Sequence, residues 1–200
     1  MIDFTNDELR FLARYGVSPE DVYDARGQVQ WSWKERAKEE GRELVIGTPC
    51  RASGHRLRTR AGHCVQCDPK KLGYLRHHTS TGYVYIAGTL RGRLIKIGSA
   101  ENPWQRLERL RVEKYGGFAD WDVLAHVSID ERGRLEDTVK ARLYGHGVVR
   151  EYIKDGFAQD AIELFRCSFS LALEALNNSL IEKARSEVWR SSYSDEYEFE

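Results

Sequence analysis

The chain has 200 residues, 41% of them hydrophobic and 11% aromatic, enough for one ordinary domain plus a small accessory module and too apolar for wholesale disorder. Lysine plus arginine equals aspartate plus glutamate at 31 each, but the balance is uneven: net −3 over residues 1–49, +10 over 50–115 and −7 over 116–200. No apolar run approaches the about 20 residues of a membrane span, and the acidic start MIDFTNDELR has no signal-peptide core, so a cytoplasmic protein without membrane contact is expected.

Residues 1–45 read as a helical module. Thr5 and Glu8 make a capping box ahead of Leu9, Phe11 and Leu12. Ser18 as cap with Pro19 at the first helical position predicts a second helix, and WSWKERAKEEGRE a third. Residues 46–72 form a turn-rich, zinc-finger-like segment. From 79 to 190 the pattern predicts one further domain. Its strands are expected at 83–88, 94–99 and 121–129, and its helices at 103–114, 131–144 and 168–188. Residues 191–200, SSYSDEYEFE, read as a disordered acidic tail. The fold class expected is α/β (α+β), with a small antiparallel or mixed three-stranded sheet flanked by helices.

Cys50, His55, Cys64 and Cys67 are spaced C-x4-H-x8-C-x2-C, a soft-thiolate and imidazole set that suits structural zinc, with His63 as the competing imidazole. The loop between them is too polar to fold by apolar burial alone, so a metal clip would supply the folding free energy. Arg51, Arg56, Arg58 and Arg60 on that loop are candidate phosphate contacts. Cys167, between Phe165 and Phe169, reads as core.

The stretch TGYVYIAGTLRGRLIKIGSA, residues 81–100, predicts a hairpin whose second strand carries Lys96 inside an apolar run, where it must find water, an anion or a carboxylate. Tyr83-Val84-Tyr85, then ten residues, then Lys96-Ile97-Gly98, Asn102, Arg106 and Glu136 follow in order. This series resembles the GIY-YIG nuclease superfamily with both signature triplets altered, over roughly residues 82–170. The resemblance implies a divalent-metal-dependent endonuclease with Tyr85 as general base, Arg106 on the phosphate, and Glu136 holding Mg²⁺ or Mn²⁺. Asn102 and Arg109 on the following helix join the expected nucleic-acid contacts.

Alternation places Tyr83 and Tyr85 on one sheet face. Lys96 within reach of a tyrosine hydroxyl would lower its pKa from about 10 and favour the phenolate. The plainer readings are amphipathic packing for the tyrosines, a solvated helix face for Arg106, and an i,i+4 pair with Lys140 for Glu136. AIELFRC, residues 161–167, reads as structural. The +10 block is the electrostatic footprint of a polyanion, DNA first and RNA as the alternative. A catalytically inactive nucleic-acid-binding module is the competing function. The acidic ends could serve a homodimer or a protein partner.

Overall fold

The computed structural model describes residues 2–199, apart from the side chains of Tyr74, Arg76 and Thr79. The chain divides into two units, residues 1–76 and 77–200.

In the first unit, α1 (Asn6–Arg14) starts on the expected capping box: Glu8 N donates to Thr5 Oγ1 at 3.2 Å and Thr5 N to Glu8 Oε2 at 2.8 Å. The next segment is not helical as expected. Ser18 and Pro19 begin only a single 3-10 turn (Pro19–Asp21), which runs into β1 (Val22–Asp24). After α2 (Gln30–Glu39), β2 (Leu44–Ile46) pairs parallel with β1 and antiparallel with β3 (Leu57–Thr59). Burying Val22 against Leu12, Leu44, Ile46 and Leu57 overrides the local helix-start signal, and Tyr23 packs with Trp33, Ala37 and Val45. The last helix to begin here is α3 (Lys70–Thr79).

The second unit is built on β4 (Gly82–Thr89), β5 (Leu94–Ala100), α4 (Pro103–Val112), β6 (Trp121–Ile129), α5 (Arg132–Arg142), β7 (Gly147–Lys154), β8 (Phe157–Phe165), α6 (Phe169–Asn177), α7 (Glu182–Arg185) and β9 (Trp189–Arg190). Among the described residues its sheet has six strands, in the order β7-β8-β5-β4-β6-β9, antiparallel throughout. The three-stranded sheet expected from the sequence is therefore only its centre. The missed hairpin is β7–β8, whose turn at Asp155 and Gly156 has φ of 52° and 83°. Asp-Gly between two alternating runs was the available signal.

β4 and β5 are buried on both faces, which is why they read as nearly unbroken apolar runs. Val84, Ile86, Ile95 and Ile97 face a core completed by Leu135, Val139, Phe169 and Leu176. Tyr85, Ala87 and Leu94 face Leu107, Leu110 and Trp121. The helix expected over 168–188 divides, because Asn177, Asn178 and Ser179 are poor helix formers that favour a stop. Cys167 is core, as expected.

The tail expected to be disordered is folded onto this unit. Tyr197 is 1% exposed, and its hydroxyl meets Asp122 Oδ2 at 3.1 Å. Its ring lies over Gly88, where an added Cβ would come within 2.7 Å of Tyr197 Cε1 and 2.8 Å of Leu124 Cδ1. Gly88→Ala should therefore destabilise the second unit by about 1–3 kcal/mol through overpacking. A urea melt checks this; an unchanged midpoint would mean that Tyr197 does not dock.

Candidate active site and metal centre

In the first unit, Cys50, His55, Cys64 and Cys67 bring their ligand atoms within 4.8 Å of one another. Cys50 Sγ lies 3.7 Å from Cys67 Sγ, and His55 Nδ1 lies 3.3 Å and 3.7 Å from the Cys67 and Cys64 sulfurs. Tetrahedral zinc with thiolate bonds near 2.3 Å separates neighbouring sulfurs by about 3.8 Å, so this donor set fits such an ion. The backbone amides of Ser53 and His55 hold the Cys50 thiol down, to about 6. His55, not His63, supplies the imidazole; His63 gives its backbone N–H to Thr59 Oγ1.

The arginines of this loop are mostly internal props. Arg56, expected as a phosphate contact, grips the Glu8 carboxylate through Nε at 2.8 Å and Nη2 at 2.6 Å. Arg58 donates to the Thr48 and Gly62 carbonyls, and Arg60 pairs with Glu43 at 3.2 Å. Arg51 is exposed.

In the second unit a cavity of about 230 Å³ is lined by Tyr85, Arg106 and Glu136 together with His77, Lys96, Gly98, Ser99 and Glu163. The strand register explains why. Tyr85 faces Gly98 across the β4–β5 ladder, and a Cβ on Gly98 would lie 2.5 Å from the Tyr85 hydroxyl oxygen. Glycine there lets the ring lie across β5. Arg106, one turn into α4 beyond its Asn102 cap, lines the same cavity, where its charge acts on the Tyr85 phenol. Asn102 Oδ1 accepts from the Trp104 and Gln105 amides at 2.9 and 3.1 Å. Burial pushes the Tyr85 phenol well above its ordinary range, against the pull of Arg106.

Lys96 does not act on Tyr85 as expected. It is fully buried, and its ammonium is bonded to the Glu163 carboxylate and to Ile97 O at 3.3 Å, over the Tyr115 ring. A carboxylate was one of the three partners open to it, and Glu163 from β8 is that carboxylate. Burial opposes ionisation of Glu163, but Lys96 and Lys140 outweigh it and hold the carboxyl at about 2. AIELFRC is thus more than structural, since it contributes a lining carboxylate.

Glu136, 4% exposed, is held on both oxygens. Lys140 reaches Oε1 at 2.5 Å, the i,i+4 pair expected from the plainer reading, and also Glu163 Oε1 at 2.5 Å. Ser99 Oγ and His77 Nε2 meet Oε2 at 2.5 and 3.1 Å. Tyr83 is not brought into the cavity; it packs edge-on against His126 at 5.3 Å. Sequence reasoning missed Ser99, Lys140 and Glu163 as lining or linking residues, and found no pattern for His77. Ser99 and Glu163 arrive through pairing of β5 with β8, and His77 and Lys140 through the packing of α3 and α5 beside them.

A second cavity, of about 340 Å³, shares Ser99 and Arg106 with the first and is lined also by Asn102, Gln105, Arg109 and Arg132. Among the described residues no helix is long and apolar enough to cross a membrane. No curated protein and no solved structure matches the chain. A family model that does match, over residues 82–180, is that of the T5orf172 domain, a different domain family from GIY-YIG; no GIY-YIG model matches, and the GIY-YIG assignment is corrected accordingly.

Proposed function

We propose that the second unit is a nuclease acting on DNA, an endonuclease that hydrolyses phosphodiester bonds with Mg²⁺ or Mn²⁺. The observation that carries this reading is the convergence of Tyr85, Arg106 and Glu136 on one small cavity, beside a second cavity lined by three arginines. The association of the T5orf172 domain with nuclease-like or DNA-binding function supports it.

Phosphodiester hydrolysis needs a positive group on the phosphate, a proton acceptor for the attacking water and stabilisation of the leaving oxygen. Arg106, whose planar fork matches phosphate oxygens, supplies the first. Tyr85 stays a neutral phenol that positions Arg106 and hydrogen-bonds the substrate, because burial disfavours its phenolate. His77, whose ring Glu136 orients at 3.1 Å, takes the water's proton in its place. Glu136 Oε2, with the Ser99 hydroxyl beside it, is a hard oxygen pair suited to a cation that keeps waters and substrate oxygens as its other ligands. When bound there, Mg²⁺ or Mn²⁺ supplies positive charge against the leaving oxygen.

Purified protein with supercoiled plasmid and Mg²⁺ or Mn²⁺ should nick it, and Glu136→Ala should reduce the rate on the order of 10²-fold or more. Cleavage by Glu136→Ala at the wild-type rate would sink the assignment. One observation favours a second reading, nucleic-acid binding without cleavage: Glu136, Glu163, Lys96 and Lys140 already neutralise one another. Salt-dependent binding with no cutting of single- or double-stranded DNA or RNA in any metal would select it.

A further inference from the structure

We infer that the second cavity is a phosphate subsite anchored by Arg132, taking a nucleic-acid backbone phosphate adjacent to the one at Arg106. The inference rests on nucleic acid being the ligand of this unit, and not on its being cut.

Arg132 is 9% exposed, yet its Nε and Nη1 are buried with no hydrogen-bond partner among the described residues. Its Nη2 meets Glu101 only at 3.9 Å, and that carboxylate is 89% exposed. A contact so long and wet does little for a guanidinium. Buried donors left unmade are costly, the more so on a charged group, and they persist where a ligand completes them.

The burial is built in by neighbouring residues. The side chain crosses β4 at Gly82, where an added Cβ would lie 2.8 Å from Arg132 Cδ, so glycine makes the passage. The Arg132 backbone N–H is taken by Ser80 O at 3.1 Å, so the side chain and not the helix end offers the donors.

The surroundings select the ligand. Arg106, Arg109 and Arg132 face one carboxylate, Glu101, with Asn102 and Gln105 as neutral donors. Guanidinium forks match phosphate bidentately. Arg106 lies between the two cavities and lines both. Anion sites on either side of one shared arginine suit a polymer of regularly spaced phosphates better than a lone anion.

The test is binding of a fluorescent oligonucleotide duplex across a salt series, without added Mg²⁺ or Mn²⁺ so that nothing is cut. Arg132→Gln should weaken binding about tenfold and lower the slope of log affinity against log salt by about one. Inorganic phosphate should raise the melting temperature of the wild type and not of Arg132→Gln, and the oligonucleotide should abolish the phosphate effect. Equal affinity and slope for the two proteins overturns the inference. A phosphate effect that the oligonucleotide does not abolish overturns it also, and marks a site for a free anion.

If Arg132→Gln does not fold, Arg132→Lys keeps the stem and the charge but not the fork. It should bind several-fold more weakly, and binding equal to wild type overturns the fork. The two readings fail separately. Arg132-dependent binding without cutting removes hydrolysis alone. Cutting together with binding indifferent to Arg132 removes the subsite alone.

Discussion

Replacing Cys64 and Cys67 together by serine should release bound zinc and unfold the loop of residues 47–68, leaving the second unit's own melting transition in place. The loop's only fully buried apolar side chains are Leu57 and Val65, both at 0% exposure, and both also belong to the core around Leu12. The remainder is held by the short β2–β3 ladder, by backbone turn bonds and by carbonyl and carboxylate contacts of Arg56, Arg58 and Arg60. Structural zinc supplies roughly 10–16 kcal/mol in small fingers, far more than those contacts replace. Zinc content and hydrogen exchange over residues 47–68 check the prediction. A wild type purified without stoichiometric metal, with the loop equally protected in both proteins, would overturn it.

Lys96→Met should cost about 3–5 kcal/mol at neutral pH, because it leaves the Glu163 carboxylate short of the one partner that is itself fully buried. The pH dependence identifies the cause. In the wild type Glu163 is depressed from 4.5 to about 2, so its contribution is complete above pH 4.5 and is lost as the pH falls towards 2. Without Lys96 the carboxyl protonates more readily, and the neutral form no longer needs the ammonium. The gap between variant and wild type should therefore narrow from pH 7 to pH 3 in urea melts. Adding Glu163→Gln should recover part of the loss at pH 7, since it removes the charge left unpaired. A gap that is the same at both pH values, with no recovery, would show that Lys96 acts by packing alone.

The folded tail changes what the acidic ends can do. Glu198 accepts from Ser170 N and Oγ at 3.0 and 2.6 Å, and Asp195 pairs with Arg190, so these acids are engaged within their own unit. The sequence left open a homodimer or a protein partner through the acidic ends; the tail is ordered because burying the Tyr197 ring outweighs the polarity of the residues around it.

What the sequence by itself determined was local. The Thr5–Glu8 capping box, the Cys50–Cys67 spacing, the β4–β5 hairpin and the helices carrying Arg106 and Glu136 depend on neighbours a few residues apart. At that range hydrogen-bonding and periodicity rules apply without knowledge of the fold. The alternation of Tyr83 and Tyr85 was also legible, yet it could not say that only Tyr85 reaches the cavity. That depends on Gly98 in the opposite strand and on His126, which takes the Tyr83 ring.

Tertiary structure alone decided the charges. Lys96 and Glu163 are 67 positions apart, and β8 brings them together by pairing with β5. Val22 forms a strand rather than a helix because β2 lies beside it. Arg132 is buried because Gly82 leaves it room. In each case a charge or a backbone conformation takes its value from a group distant in the chain, and energies set by burial and pairing are not written in the residues next to it.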